Sequence, residues 1–389
     1  MNSMGNRKIL FSTACLGMLI FGIAMISLGS VLPAITKKFS MDTLTAGSLA
    51  SLLPFGILAG SVIFGPLVDR YGYKLLLVFN SAFVGAGLLG IAYSMDIFFI
   101  QLSIFFIGFG GGMLNGGTNA LVADISSEGK GASLSLLGVF FGVGALGMPV
   151  ILGVLSSSFT YEAITAGIGY FVLLTIILFS LIKFPAPKQA QGFPIKQSLK
   201  IIKDPLLLLF GLILFFESGL EGVVNNWTTS FLINKFEATS EEALYALSLF
   251  VLGLTLTRLV LGGLLKKFKD STILYICILF ALLGSIITLA AASYTLAVVG
   301  LILLGIGFAA GFPVILGFVG EIYSHLSGTA FSIVLVIALL GNMIINYGMG
   351  IIAQQYGIEK ISVLLIVLLI LMGITLSITI NFMNKKNKN

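Results

Sequence analysis

Between two long apolar segments, the chain runs Gly65-Pro66-Leu67-Val68-Asp69-Arg70-Tyr71-Gly72-Tyr73-Lys74. The two glycines of this stretch permit close helix approach and a tight turn. Asp69 can accept hydrogen bonds from the amides at a helix terminus, and Arg70 and Lys74 can pair with acids or with lipid phosphates. The stretch therefore predicts a structured connection between two helices, although its basic residues also fit simple topology signals.

The composition around this stretch is that of a membrane protein. Of 389 residues, 58% are hydrophobic and only 9% are charged, whereas soluble domains carry roughly 25% charged residues. The net charge of +6 comes from basic residues in short loops between apolar runs, so it does not indicate a nucleic-acid partner. Cys15 and Cys277 both lie in apolar segments, and their spacing supports neither a disulfide nor a metal site. We expect no cofactor.

The apolar segments determine the predicted fold, because a helix needs roughly 20 apolar residues to cross the hydrocarbon core. Twelve segments meet this length: 9–32, 45–66, 75–95, 97–122, 132–155, 162–183, 205–232, 242–265, 271–292, 295–319, 327–352 and 361–382. The longest connection, 184–204, holds three prolines and separates six segments from six. We predict an all-α membrane protein with two six-helix halves, residues 1–183 and 205–389, joined by a cytoplasmic linker at 184–204.

The loop charges predict the orientation. With the N-terminus in the cytoplasm, sixteen Lys and Arg residues lie inside, four lie outside, and Arg258 lies within a helix. Because positively charged loops stay on the cytoplasmic side, both termini are expected there. We expect a multi-pass protein of the bacterial inner membrane, in contact with lipid and monomeric.

The two halves of the sequence repeat with a constant offset. When the first half is shifted by 197 positions, Gly65 aligns with Gly262, Asp124 with Glu321, and several other pairs coincide: Arg70 with Lys267, Gly108 with Gly305, Gly110 with Gly307, Gly131 with Gly328 and Ser135 with Ser332. A parallel repeat of six helices about an axis along the membrane normal implies a cavity between the halves, near the midplane.

With twelve segments and this repeat, the stretch Gly65–Lys74 resembles the G-x-L-x-D-R-x-G-x-K/R loop of the major facilitator superfamily. It stands between the second and third helices, where that family has it, and Gly262–Lys267 looks like a degenerate second copy. The resemblance implies a secondary transporter in which such a loop holds the outward-open state. The expected gating residues are Gly65, Asp69, Arg70, Gly72 and Lys74, joined by Asp124, Glu321 and Arg258.

The seventh segment holds Phe-Phe-Glu-Ser-Gly-Leu-Glu-Gly-Val-Val-Asn-Asn-Trp-Thr-Thr-Ser-Phe, residues 215–231. Glu217, Glu221 and Asn225 are four residues apart and share one helix face. A membrane acid costs several kcal/mol, so it usually has a partner or a function. Low dielectric favours the protonated form of a carboxyl, which suits proton coupling. The alternative is a structural ion pair with Arg258, which lies about two turns from the Lys266–Lys267 loop.

Amides recur at a spacing of four residues in two other segments, as Asn115 with Asn119 and Asn342 with Asn346. Amides both donate and accept hydrogen bonds, as the hydroxyls of a neutral sugar require. Asn225 and Asn226 add to this set, and Trp227 offers a flat face for a sugar ring. The same amides also fit interhelical hydrogen bonds.

The segment Gly108–Asp124 resembles the fourth helix of the fucose:proton symporter group, in which a glycine-rich start leads to polar residues. Members of that group commonly carry an acid where Asn115 stands, so their proton site does not transfer to this helix. The deep carboxylates left for proton binding are Glu217 and Glu221.

These observations predict a secondary transporter that imports a small neutral sugar-like solute together with protons, or sodium, by alternating access. The main alternative is a proton-coupled exporter of amphiphilic or drug-like compounds, because Gly138–Gly153 loosely resembles the fifth helix of drug antiporters. A non-transporting receptor is disfavoured by the intact Gly65–Lys74 stretch. No nucleophile–base pair, metal cluster or phosphate loop is visible in the sequence, so an enzyme is not expected.

Overall fold

The computed structural model describes residues 3–41, 43–126, 129–155, 157–187 and 201–386, which are nearly all helical. In this part of the chain we number thirteen α-helices: α1 Ser3–Lys38, α2 Thr43–Tyr71, α3 Tyr73–Tyr93, α4 Ile97–Ile125, α5 Lys130–Leu155, α6 Tyr161–Leu181, α7 Pro205–Phe236, α8 Ser240–Leu264, α9 Asp270–Ala290, α10 Tyr294–Gly307, α11 Gly311–Ile322, α12 Ser327–Tyr356 and α13 Ile361–Lys386. They provide twelve segments long and apolar enough to cross a membrane, with α10 and α11 sharing one. The predicted all-α, twelve-segment fold is confirmed.

The chain forms two compact units. The first comprises Met1–Ser127, Leu137–Leu199 and Tyr323–Ser332, and the second comprises Glu128–Leu136, Lys200–Ile322 and Ile333–Asn389. The start of α5 thus belongs to the second unit, and the start of α12 belongs to the first. Most of the predicted linker lies at residues 188–200, outside the described residues, so the predicted domain boundaries stay a prediction.

The repeat with an offset of 197 residues appears in the helix bounds. Shifting α3, Tyr73–Tyr93, by this offset gives the bounds of α9, Asp270–Ala290. The same shift places α4 on the residues from Tyr294 to Ile322, which are the outer bounds of α10 and α11.

The repeat also appears in hydrogen bonds. In the first unit, the hydroxyl of Ser332 donates to the main-chain carbonyl of Ser61. In the second unit, the hydroxyl of Ser135 donates to the carbonyl of Arg258 at 2.7 Å. These two pairs coincide under the same offset, because Ser61 aligns with Arg258 and Ser135 with Ser332.

Glycines bring helices into backbone contact within the first unit. A Cβ atom added at Gly56 of α2 would lie 2.5 Å from the carbonyl oxygen of Phe105 on α4. From the α4 side, a Cβ atom at Gly112 would collide with the carbonyl oxygen of Ile57. Small residues at such crossings let helices pack closely without a polar surface. Gly112, in the glycine-rich run of α4, therefore lets α4 pack closely against α2.

The tenth membrane segment, predicted at 295–319, is present but is interrupted, which the sequence analysis did not predict. α10 ends at Gly307 and α11 begins at Gly311, leaving a break at Phe308–Ala310. Pro313 explains the break, because in a continued helix its ring would collide with the carbonyl of Ala309 and its nitrogen could not donate. The counterpart helix α4 has no such break.

Candidate functional site

Glu217 is a buried acid within a membrane segment. It lies in the middle of α7 and has no exposed surface. Neither of its carboxyl oxygens has a hydrogen-bond partner among the described residues. Burying a carboxyl group without compensation is costly, and far more so when it is ionised. A residue in this state is a functional candidate by default within a membrane segment.

The carboxyl group of Glu217 lies against the first residue of α11. A Cβ atom added at Gly311 would stand 2.5 Å from Oε1 and 2.7 Å from Oε2 of Glu217. The first N–H groups of a helix have no partner within that helix, and the helix dipole places positive charge there. The break in the tenth segment therefore presents a helix N-terminus to the buried acid.

Arg258 approaches the same break from α8. Its side chain is 8% exposed, and its Nε donates to the carbonyl of Ala309 at 3.4 Å. Its charge acts electrostatically on both Glu217 and Glu221. Across the described ranges it forms no ion pair with either acid, so the structural ion pair considered from the sequence is not formed in this structure.

Cys277 of α9 completes the surroundings of the acid. Its buried thiol interacts with the backbone of Ala310 and with the charge of Glu217. We call Glu217, Arg258, Cys277 and Gly311, together with the break, the Glu217 site. Helices α7, α8, α9 and α11 all contribute to it, and all of its residues belong to the second unit.

Exposure increases along the predicted polar face of α7. Glu217 is fully buried, whereas Glu221 and Asn225, one and two turns further on, are partly exposed. The amide of Asn225 donates to the main-chain carbonyl of Glu221 at 2.8 Å, within its own helix. One end of this face is thus enclosed, and the other end is partly exposed.

The predicted amides of α7 and α12 bond the two helices together. Nδ2 of Asn342 donates to the carbonyl of Ser218 at 2.8 Å, and Nδ2 of Asn226 donates to Oδ1 of Asn346 at 3.0 Å. At Gly222 an added Cβ atom would lie 2.5 Å from Nδ2 of Asn346. These contacts give the asparagines a structural role, whatever their part in binding.

Trp227 and the amides of α4 are further predicted binding residues. The Trp227 ring is partly exposed and lies 3.6 Å from a Cβ atom added at Gly350 of α12. On α4, Nδ2 of Asn119 donates to Oδ1 of Asn115 at 3.0 Å. Asn119 is buried and Asn115 is partly exposed, so Asn115 is the more accessible of the pair.

The predicted gating residues of the first unit meet the start of α12. Asp69 is 1% exposed, and its Oδ2 accepts hydrogen bonds from the N–H and the hydroxyl of Thr329, at 3.0 and 2.7 Å. Asp124 accepts from the hydroxyls of Ser327, at 2.9 Å, and Tyr73. Asp69 therefore caps this helix N-terminus, and Asp124 adds a second acid beside its first residue, where negative charge is stabilising.

Glycines and surface charges complete the predicted gating set. A Cβ atom at Gly65 would lie 2.6 Å from the carbonyl oxygen of Gly328, and Gly72 has a φ of 79°, which favours glycine. Arg70 is partly exposed, whereas Lys74 and Glu321 are exposed.

The offset of 197 residues predicts a second copy of the contact between Asp69 and the start of α12, but the second copy has different chemistry. Lys266 stands where the offset of 197 would place the counterpart of Asp69. Instead, Nζ of Lys130 at the start of α5 donates to the carbonyl of Gly320 near the end of α11, at 2.7 Å. A cation at a helix C-terminus is stabilising for the same dipole reason.

Sequence reasoning found Glu217, Glu221 and Arg258 but missed the break and Gly311. The signal was present as Gly311-Phe312-Pro313 inside an apolar segment. A segment interrupted by Gly and Pro is a sequence indication of a binding site in transporters. The structure brings this interruption to the acid.

Comparison with known proteins identifies the family. The family model described as Major Facilitator Superfamily matches residues 14–288 and 222–388. The chain is 23% identical over 357 residues to the uncharacterized MFS-type transporter YfkL of Bacillus subtilis, covering 87% of this chain and 88% of that protein. It is 24% identical over 349 residues to the glucose/mannose transporter GlcP of the same organism, covering 85% and 84%.

A solved structure shows the same fold. The crystal structure of the Escherichia coli fucose:proton symporter FucP in the outward conformation superimposes with a TM-score of 0.81 at 19% identity, covering 96% of this chain and 99% of that one. With the matched family model, the chain belongs to the Major Facilitator Superfamily and is a multi-pass membrane transporter.

Proposed function

We propose that this transporter imports a small neutral sugar-like solute by proton symport through alternating access, with Glu217 as the proton-binding residue. The observation that carries the proposal is the Glu217 carboxyl group, fully buried and without a hydrogen-bond partner among the described residues. A proton neutralises such a group without adding ligands, so binding and release of one proton changes the energy of this site strongly.

The surroundings favour a proton over sodium. A proton neutralises the Glu217 carboxyl group without further ligands, whereas a hard metal cation is held by several oxygen ligands. Of the two acids, Glu217 is enclosed and Glu221 is partly exposed. We assign Glu217 to the proton and Glu221 to the solute side of the same face.

The chemistry of the partly exposed groups supports a hydroxylated, uncharged solute. Glu221 and Asn225 on α7 offer acceptors and donors, and Trp227, six residues beyond Glu221, offers an aromatic face. In the first unit, considered by itself, Asn115 on α4 is a partly exposed amide. The names of two similar proteins agree with this class, since one is a glucose/mannose transporter and another a fucose:proton symporter.

The topology belongs to the same proposal. The excess of Lys and Arg in alternate loops supports an inner-membrane protein with both termini in the cytoplasm. Reporter fusions after Lys386 and within the loop between α1 and α2 test this orientation, which requires a cytoplasmic signal from the first and an external signal from the second.

Transport in vesicles tests the function. The purified protein is reconstituted in liposomes, and uptake of labelled glucose, mannose, fucose and xylose is measured with and without an inward proton gradient. We expect gradient-driven accumulation of at least one sugar. Accumulation of none of them under either condition would refute a sugar substrate, and raised drug resistance on expression would favour the exporter instead.

Two matched variants test the assignment of the acids. Glu217→Gln should abolish gradient-driven accumulation, by roughly tenfold or more, while counterflow exchange persists, because binding no longer requires a proton. Glu221→Gln should instead raise the sugar concentration needed for half-maximal exchange. The assignment fails if uphill accumulation survives in Glu217→Gln.

A further inference from the structure

An ionisable side chain from a neighbouring helix contacts each end of α11. At its first residue, Gly311, it meets the carboxyl group of Glu217. Near its last residue, the carbonyl of Gly320 accepts a hydrogen bond from Nζ of Lys130 at 2.7 Å. The acid lies at the positive end of the helix dipole and the lysine at the negative end. With 12 residues, α11 is a rigid rod roughly 18 Å long between them.

The start of α5 packs directly against this rod. A Cβ atom added at Gly317 of α11 would lie 3.0 Å from the main-chain nitrogen of Gly131 and 3.2 Å from its Cα. The same turn of α5 binds α8, because Ser135 donates to the carbonyl of Arg258 at 2.7 Å. Residues 130–135 therefore contact both α11 and α8, and each of these helices also presents a group to Glu217.

The two charge states of Glu217 make different demands on α11. An ionised carboxylate attracts the free N–H groups of the first turn of α11, whereas a neutral carboxyl group has little interaction with the helix dipole. Because packed interiors resist compression, a displacement at the first turn moves the whole short helix. Its far end is attached to α5 through Lys130 and Gly131.

From these contacts we propose that α11 transmits the charge state of Glu217 to the start of α5, with Lys130 as the positioning residue at the far end. The inference rests on the proposed proton site and extends it, because it names the element that connects protonation to a helix outside the site. Ionisation draws the N-terminus of α11 toward Glu217, and protonation releases it.

Among the described residues, charged or titratable groups on three helices act on Glu217. They are Glu221 on α7, Arg258 on α8 and the Cys277 thiol on α9. α11 contributes backbone at its first turn, and its own acid, Glu321, lies at the opposite end. Glu221→Gln is therefore the matched comparison for Glu217→Gln, because it removes a carboxylate one turn away that opposes ionisation of Glu217, and so should not mimic the loss of charge at Glu217.

Hydrogen–deuterium exchange of the full chain in nanodiscs tests the transmission without any sugar. At about pH 9, where carboxylates are ionised most completely, Glu217→Gln should exchange roughly threefold or more faster than the parent protein in peptides from 311–316 and from 129–136. At about pH 6 the difference should shrink. Peptides from 327–331, where Asp69 caps α12, should not change. Glu221→Gln, which favours the ionised form of Glu217, should not accelerate exchange in any of the three regions.

The outcomes are decisive in both directions. Faster exchange in both regions, with α12 unaffected, supports the proposal. A change confined to 311–316 shows that α11 does not transmit to α5, and no change at either pH shows that the charge of Glu217 does not act on α11. Equal changes everywhere mean general destabilisation and also overturn it.

Lys130 gives a second test in sugar-loaded vesicles. Lys130→Gln should lower gradient-driven accumulation roughly tenfold while equilibrium exchange stays within about twofold, and Lys130→Arg should restore coupling. Lys183→Gln, at an exposed lysine, is the control. If the parent protein accumulates sugar and Lys130→Gln does so equally well, this inference fails and symport stands. If the parent protein does not accumulate sugar, symport fails and the exchange experiment still decides the role of α11.

Discussion

The carboxylate of Asp69 accepts two hydrogen bonds from one residue, Thr329, through the main-chain N–H at 3.0 Å and the hydroxyl at 2.7 Å. Both groups are buried, so the contact is shielded from water. Hydrogen bonds to a charged acceptor are shorter and stronger than neutral ones. This single contact joins α2 to the N-terminus of α12 within the first unit.

Asp69→Asn should therefore destabilise the protein. The amide keeps one acceptor oxygen but loses the negative charge at the helix N-terminus, so we expect a loss of about 1–3 kcal/mol. Thermal unfolding in detergent would measure it as a lowered midpoint. Lys74→Gln, at an exposed residue of the same stretch, should change stability by less than about 0.5 kcal/mol. Equal stability of the two variants would contradict the prediction.

Gly311→Ala should impair coupling because the new methyl group would occupy the place of the Glu217 carboxyl oxygens, 2.5 and 2.7 Å away. The acid must then move off the first turn of α11. We expect gradient-driven accumulation to fall roughly tenfold in vesicles. Gly348→Ala, where an added Cβ atom has no neighbour within 4 Å, should transport normally. Normal accumulation by Gly311→Ala would show that the contact is dispensable.

Ser135→Ala and Ser332→Ala should have similar effects, because they remove pseudo-equivalent hydrogen bonds to the carbonyls of Arg258 and Ser61. Each is expected to cost about 0.5–1.5 kcal/mol of unfolding free energy. The double variant should show the sum within about 0.5 kcal/mol, since the serines lie in different units and share no partner. Reversible denaturation in mixed micelles gives the three values. A large effect in only one variant would show that the repeat is unequal in stability.

The asparagines should separate into two classes. Asn342→Ala removes a hydrogen bond between α12 and α7, and we expect it to lower stability by about 1–2 kcal/mol. Asn225→Ala removes a bond within α7, so its main effect should be weaker sugar exchange with stability changed by less than about 0.5 kcal/mol. Thermal unfolding and exchange assays on the same preparations distinguish them. If Asn342→Ala weakened sugar exchange and Asn225→Ala lowered stability, the two assignments would be reversed.

The fold was largely predictable because its signals are strong and local. Segment length and hydrophobicity predicted twelve membrane segments. The 197-residue offset, found from pairs such as Gly65 with Gly262, predicted the coincidence of α3 with α9. The break in the tenth segment was not predicted, because Gly311 and Pro313 sit in a run whose hydrophobicity is compatible with a continuous helix.

The candidate site was predictable only in part. The spacing of Glu217 and Glu221 on one helix face follows from the sequence, since it depends on a single helix. The approach of Gly311 and Arg258 does not, because it depends on how α8 and α11 pack against α7. The same reason applies to Asn342. Its spacing of four residues from Asn346 predicted solute binding, but its amide donates a hydrogen bond to the carbonyl of Ser218 on α7.

The break at Phe308–Ala310 has a consequence for biogenesis. α10 and α11 have 14 and 12 residues, so neither half alone spans a hydrocarbon core of about 30 Å. Unpaired backbone groups in lipid cost several kcal/mol each, which forbids such a break facing the bilayer. The tenth segment can therefore adopt its final shape only after α7, α8 and α9, which are synthesised before it, have surrounded it. Assembly of the second half thus has an obligatory order, in which the Glu217 site is completed only when the tenth segment joins α7, α8 and α9.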